Sequence, residues 1–294
     1  MEPIVSIIIP AYNPGKLLFR ALKSVYNQTF TNFEVLVVDD GSDDNTGLLI
    51  EALKMDNLYY YCIPHRNANV ARNFGISQAK GDYVAMLDAD DEWLTHHLDM
   101  NLNLIEGNSC DGIFSSVILK TQENQRVFRT RSLARNEKMV DYLLATGIGA
   151  HTSTLFMKKV AARDILWDDT LKRHQDYDFV IRFSKKYKWL PNPEITTIYY
   201  FGHQKQKSVD FHSCIRFIKQ YKKEIAPGIY NEYHSCMLAM ARDMKAGQKI
   251  ISYYVNESVR YPFYLSQDKF LIAKNPRNQF HRLVFKLLFM MKNV

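Results

Sequence analysis

The chain has no run approaching the eighteen or so consecutive apolar residues of a bilayer-spanning helix, so no membrane span is expected. Cysteine is scarce: Cys62, Cys110, Cys214 and Cys236 lie far apart with no metal-ligand or disulfide-like spacing, which reads as ordinary thiols in a reducing compartment. The opening Met1-Glu2-Pro3-Ile4-Val5 lacks the basic region of a signal peptide and enters a strand directly, so the expected location is the cytosol or its membrane face. Internal repeats and low-complexity segments are absent. No stripe of basic residues interleaved with aromatics stands out, so the net charge of +7 suits an anionic substrate or a membrane surface, and nucleic acid is not an expected partner. What remains, 47% apolar and 23% charged residues over 294 positions, describes a globular chain able to bury a sizeable core in one large domain or one and a half.

The strongest local signal is Lys80-Gly81-Asp82-Tyr83-Val84-Ala85-Met86-Leu87-Asp88-Ala89-Asp90-Asp91. Tyr83 to Leu87 has the length and composition of a buried strand, and it ends on clustered carboxylates. Nothing apolar follows to offset their desolvation, so they belong at the strand's exposed carboxyl end. Open α/β sheets present binding sites there, and hard oxygen ligands at this spacing suit Mg²⁺ or Mn²⁺. The plainer reading is a helix start capped by Asp90 or Asp91, although one Asp suffices for a cap.

The chain before this stretch alternates strands and helices. Ile4 to Ile9 reads as a central strand closed by Pro10, and Leu17, Leu18, Ala21, Leu22 and Val25 then share a helical face. Phe33 to Val38 is a second strand ending on Asp39-Asp40-Gly41-Ser42, with a helix to about Lys54; Leu58 to Cys62 is a third strand and Asn69 to Ala79 a helix. This alternation implies a parallel sheet with right-handed crossovers, so Pro10 to Asn13, Asp39, Asp40 and Asp88 to Asp91 converge on one crevice. Beyond Glu92 a helix is expected to about Glu106, then an antiparallel edge hairpin from Gly112–Leu119 and Val127–Arg131, a helix over Glu137–Ala145, and a strand over Thr152–Met157. Gln175-Asp176-Tyr177-Asp178 opens an amphipathic helix, and Ile195 to Phe201 is the last strand. Helices are expected near Asp210–Lys223, Ile229–Ala246 and Gln248–Tyr261. The apolar run 279–292, with scattered cations, fits either a bilayer interface or a helix docked on the protein's own core.

Taken in order, Ile9-Pro10-Ala11-Tyr12-Asn13, Val38-Asp39-Asp40-Gly41-Ser42, Ala71-Arg72-Asn73-Phe74-Gly75, Gly81-Asp82-Tyr83 and Leu87-Asp88-Ala89-Asp90-Asp91 resemble the family-two glycosyltransferases. The likeness is dense over the first 110 or so residues and returns at Gln175-Asp176-Tyr177-Asp178. It implies the GT-A fold, a mixed and mainly parallel sheet with flanking helices. The catalytic domain would span 1–209, with a nucleotide-sugar part (1–110) and an acceptor part (111–209), and 210–294 would be a helical extension. The implied activity is inverting, non-processive transfer of one sugar from a nucleoside-diphosphate donor, UDP-linked by preference, to a glycan or lipid-linked glycan. Bacterial enzymes of cell-surface polysaccharide synthesis, such as those for lipopolysaccharide or capsule, are the nearest analogy. Processivity is not expected because the Gln-x-x-Arg-Trp motif is absent.

The resemblance also distributes roles. Asp40 would accept hydrogen bonds from the donor's base, with Pro10, Tyr12 and Asn13 walling its pocket and Arg72 adding a fixed positive charge near the nucleotide. Asp88 would reach the ribose, while Asp90 and Asp91, with His203 as a third ligand, would hold Mn²⁺ or Mg²⁺. The preference among the acids for the ion is Asp90, then Asp91, then Asp88. Direct displacement needs a base to take the acceptor's proton, and Asp176 matches the family's acidic pair, with Gln175 where Glu is usual. Each residue also has a plainer reading: Tyr12 as a core-edge tyrosine, Arg72 as a surface ion-pair partner, Asn73 as a cap or loop residue, Asp176 as a helix cap and His203 as a structural histidine. Two other functions are weighed. A sugar nucleotidyltransferase wants a glycine-rich basic loop after the first strand, which Pro10-Ala11-Tyr12-Asn13-Pro14-Gly15-Lys16 does not supply. An inactive nucleotide-sugar-binding scaffold would have lost acids that are all present here.

Overall fold

The computed structural model describes residues 2–147, 150–201 and 209–258. The readings of His203 and of residues 279–292 lie outside the described residues. By contact density the chain divides into two compact units, Met1–Arg135 with Ile148–Ser213, and Asn136–Gly147 with Cys214–Val294.

The first unit is built on the β-branched runs. β1 (Val5–Ala11) is buried at every position, and α1 (Leu17–Tyr26) buries Leu18, Ala21, Leu22 and Val25 along one stripe. β2 (Phe33–Asp39), α2 (Thr46–Ala52), β3 (Leu58–Cys62), α3 (Ala68–Gln78) and β4 (Tyr83–Met86) continue the alternation. β1 pairs in parallel with β2 and with β4, and β2 pairs in parallel with β3. Ala11 lies opposite Asp39 and Ile8 opposite Met86, so the carboxyl ends of these strands share one edge of the sheet.

A buried polar set fixes where β4 begins. The Ser6 hydroxyl donates to Glu34 (2.6 Å) and accepts from the Gly81 N–H (2.9 Å), while the Lys80 N–H donates to the same Glu34 oxygen (2.7 Å). Gly81 is required by closeness: a Cβ there would sit 2.7 Å from the Ile4 carbonyl oxygen and 2.8 Å from the Ser6 nitrogen.

The second half of this unit departs from expectation at several points. The helix expected from Glu92 starts later: β5 (Glu92–Trp93) comes first and α4 (His97–Gly107) follows. Pairing with the last strand and the bond from Trp93 Nε1 to the Ser153 carbonyl (2.7 Å) override the local helical pattern. β6 (Gly112–Lys120) and β7 (Gln125–Phe128) form the expected antiparallel pair, but β6 runs inside the sheet and not at its edge. α5 (Met139–Thr146) belongs to the second unit. The strand expected over Thr152–Met157 is a 3₁₀ turn at Thr152–Thr154 followed by β8 (Phe156–Lys158). After α6 (Lys159–Ile165) and α7 (Gln175–Ser184), β9 (Trp189–Tyr200) begins well before the expected Ile195. It runs through Pro191 and Pro193 with register shifts against Ser115 and Ser116, the irregularity that lets proline stay in a ladder. Among the described residues nine strands make one sheet in the order β3-β2-β1-β4-β8-β6-β9-β5, with β7 on β6.

The second unit gathers α5 with α8 (Phe211–Tyr221, from Cys214 onward), α9 (Pro227–Asp243) and α10 (Gln248–Ser258). The three C-terminal helices fall where the periodicity places them. Pro227 opens α9, and Asp141 accepts the Ala226 N–H (2.8 Å) at its entrance. Tyr142, Tyr221, Tyr230, Tyr254 and Phe217 supply the largest buried side chains.

Candidate active site

The strand ends at the shared edge open onto a cleft of about 250 Å³ lined by Pro10, Tyr12, Asp40, Arg72, Asp88, Asp90 and Gln175 among others. Of the two acids ending β2, Asp39 is spent on structure: its carboxylate accepts from the Ser42 N–H (2.7 Å) and from the Tyr60 hydroxyl (2.5 Å). Asp40 lines the cleft, taking the Arg66 N–H (2.8 Å) on one oxygen and facing His65 Nδ1 (3.0 Å) with the other. His65 Nδ1 also lies 2.8 Å from the Asp40 carbonyl. Because both neighbours only accept, that nitrogen carries the proton. Tyr12, 48% exposed, stacks on the His65 ring at 4.2 Å. Asn13 knits the loop: with φ of 46° its side chain accepts from the Asp43 and Asp44 N–H groups (3.0 and 3.3 Å).

Arg72 is a buried residue and not a surface one, with 3% of its side chain exposed. It pairs with Asp88 (2.7 Å), donates to Asn69 Oδ1 (2.9 Å) and lies over the Trp167 ring at 4.7 Å. A fixed cation is thereby locked beside the first acid of the cluster. Asp91 is fully buried; the Ser153 hydroxyl (2.5 Å) and the Tyr200 N–H (3.1 Å) donate to it. Burial, then repulsion by Asp90 and Asp88, pushes its carboxyl well above the usual range. The Asp90 carbonyl accepts from Arg20, whose guanidinium also sits on the Tyr200 ring.

Asp88, Asp91 and His151 each place a ligand atom within 4.8 Å of the others. His151 Nδ1 is 3.6 Å from the Asp91 carboxylate, and burial lowers the imidazole pKa to about 4, so the ring is neutral at physiological pH. Two carboxylates and a neutral imidazole are a donor set that suits Mn²⁺ or Mg²⁺. A cation there would also relieve the repulsion that raises Asp91. Asp90, first in the sequence-based preference, lines the cleft beside this group, and His151 is a candidate nitrogen ligand among the described residues.

Asp176 is the second residue of α7, next to the cleft-lining Gln175. Its carboxylate takes the Tyr177 N–H (2.9 Å), and burial raises its pKa to about 6, with Asp88 pushing the same way and Arg72 opposing. Those influences place it in the electrostatic reach of the acid cluster. The neighbouring Asp178 is fully buried and paired with Arg182 (2.7 Å), which removes it from the chemistry. A half-buried carboxylate with its pKa raised to about 6 can take a proton from a hydroxyl far better than an ordinary aspartate.

A family model described as Glycosyl transferase family 2 matches residues 6–166. The chain belongs to that family. Family relatives include the amylovoran biosynthesis glycosyltransferase AmsB of Erwinia amylovora, 33% identical over 233 residues, which cover 74% of this chain and 73% of AmsB. The glycosyltransferase GlyG of Streptococcus pneumoniae serotype 4 is 38% identical over 94 residues, 31% of either chain. Among solved structures, residues 1–349 of S. aureus TarS in complex with UDP-GlcNAc align with a TM-score of 0.59 at 18% identity, covering 87% of this chain and 73% of that one. The fold is thus GT-A, and the chain is a glycosyltransferase.

Three site residues escaped the sequence analysis: His65, His151 and Ser153. His65 reaches Asp40 through the β3–α3 loop, and His151 and Ser153 reach Asp91 because β8 returns antiparallel beside β4. No local spacing announces either contact.

Proposed function

We propose that this glycosyltransferase moves a single sugar from a UDP-linked donor to a glycan or lipid-linked glycan, with inversion at the anomeric carbon. The observation that carries the reading is the convergence of Asp40, Arg72, Asp88 and Asp90 on one cleft, with Asp176 beside its Gln175 wall. The UDP donor is supported by the bound UDP-GlcNAc of TarS, and a polysaccharide acceptor by the name of AmsB.

Asp40 accepts an imide N–H of the base, with Tyr12 and Pro10 as walls. Arg72 holds Asp88 in place and sets a positive charge beside the diphosphate. Asp176, ionised above about pH 6, takes the acceptor hydroxyl's proton as its oxygen attacks the anomeric carbon. The bond from that carbon to the diphosphate breaks on the opposite side, and the configuration inverts. Asp88, Asp91 and His151 are the residues that would hold a divalent cation, which when bound supplies the charge that stabilises the departing diphosphate. The apolar run 279–292 makes the inner membrane face the proposed working place.

The test is release of UDP from a panel of UDP-sugars with Mn²⁺ or Mg²⁺ and with EDTA. Undiminished release in EDTA would contradict the metal assignment, and release of GDP only would contradict the donor.

A further inference from the structure

α3 carries more amide side chains than a helix needs. Asn67 is its N-cap, accepting from the Asn69 and Val70 N–H groups. Asn69 and Asn73, one turn apart, face the segment that joins α6 to α7. Asn73 donates to the Trp167 carbonyl (2.9 Å) and accepts the Trp167 N–H (2.8 Å), so one side chain satisfies both backbone groups of that residue. Asn69 donates to the carbonyls of Asp168 (2.7 Å) and Leu171 (2.8 Å). From the other side Arg182, held by Asp178, donates to the carbonyls of Ile165 (2.6 Å) and Leu166 (2.8 Å).

The clamped segment is bracketed by two non-glycine residues at positive φ, Leu166 at 47° and His174 at 60°. Backbone of this kind persists only where its surroundings over-determine it, and it gathers at functional sites. The segment runs directly into α7, whose second residue is Asp176. On the same helix, between Asn69 and Asn73, Arg72 pairs with Asp88 and lies over Trp167. One helix therefore grips both the acid cluster and the lead-in to the base.

We propose that Asn73, backed by Asn69, is a positioning residue for the transfer step: it sets where Asp176 stands relative to the donor acids without touching substrate. The inference rests on the assignment of Asp176 as the base. Asn73→Ala should lower kcat on the order of 10- to 100-fold, the cost of misplacing a reacting group by about 1 Å. The donor KM, and the affinity for UDP with Mn²⁺ by calorimetry, should stay within about twofold, since Arg72, the donor-side group over Trp167, is still held by Asp88 and Asn69. Should the alanine variant fail to fold, Asn73→Asp keeps the size and the acceptor for the Trp167 N–H, puts a charged oxygen against the Trp167 carbonyl in place of the donor, and is expected to show the same split. In the Asp176→Asn background, adding Asn73→Ala should change the residual rate less than about twofold, because groups that act as a unit are not additive.

Unchanged kcat in a folded variant, a KM that rises in step with the loss, or a full further loss in the Asp176→Asn background overturns the positioning role. If Asp176→Asn itself retains turnover, the base assignment fails and takes this inference with it. If Asp176→Asn lowers turnover about 100-fold or more while the Asn73 variants do not reduce it, the positioning role alone fails.

Discussion

Replacing Asp176 by asparagine should destroy turnover and at the same time make the protein more stable. Burial raises this carboxyl from 3.8 to about 6. At about 1.4 kcal/mol per unit, the ionised form costs the fold at most about 3 kcal/mol; partial exposure to the cleft reduces that to about 1–3 kcal/mol. The sign follows from proton binding. Between about pH 4 and 6 the folded state keeps a proton that the unfolded state has released, so stability falls as pH rises through that window and the full cost remains above it. Asparagine keeps the acceptor for the Tyr177 N–H and carries no charge. The variant should therefore gain about 1–3 kcal/mol in urea unfolding at pH 7.5 and close to nothing at pH 4. Wild-type kcat/KM should rise with pH around an apparent pKa near 6, while the variant loses roughly 10²- to 10⁴-fold. Retained turnover, or a variant less stable than wild type at pH 7.5, would contradict Asp176 as a base whose charge strains the fold.

Other perturbations separate binding, metal and scaffold. Asp40→Asn should raise the donor KM about 10- to 100-fold with little change in kcat, since a hydrogen bond to a charged acceptor is lost; Asp39→Asn should instead lower the melting temperature, because Asp39 serves Ser42 and Tyr60. Arg72→Ala leaves Asp88 and Asn69 without their cation and should cost about 2–4 kcal/mol by denaturant titration, with activity not restored by Arg72→Lys, which lacks the planar fork. His151→Ala should raise the Mn²⁺ concentration for half-maximal rate roughly 10-fold or more, read from a metal titration of UDP release. Glu34→Ala strips two donors of their acceptor and should cost about 2–3 kcal/mol of stability while leaving donor KM unchanged.

The parts of the fold visible in the sequence are those whose chemistry is local. Val5 to Ile9 and Phe33 to Val38 declare buried parallel strands because both faces are covered and every position is apolar or β-branched, apart from Ser6 and Glu34. Those two polar residues find each other across β1 and β2, which no single-strand pattern reveals. Asp40 and Asp88 to Asp91 are legible because they terminate such strands. Glu92 and Trp93 are not, since a two-residue strand exists only through its partner in β9. β9 itself is half hidden by Pro191 and Pro193, tolerated at a register shift. His151 carries no motif, and Asn73 reads locally as a cap or loop residue; only the antiparallel return of β8 and the path of residues 166–171 give them neighbours. Long-range pairing supplies what the linear pattern lacks.

The most direct test of the central claim is the stereochemistry of a single turnover. The purified protein would be given an α-linked UDP-sugar, Mn²⁺ and a glycan acceptor, and the anomeric proton of the product followed by NMR alongside UDP release. Inverting transfer with Asp176 as base predicts a β-linked product in wild type, formed at least about 100-fold more slowly by Asp176→Asn. An α-linked product, or equal product from the Asp176→Asn variant, would contradict it.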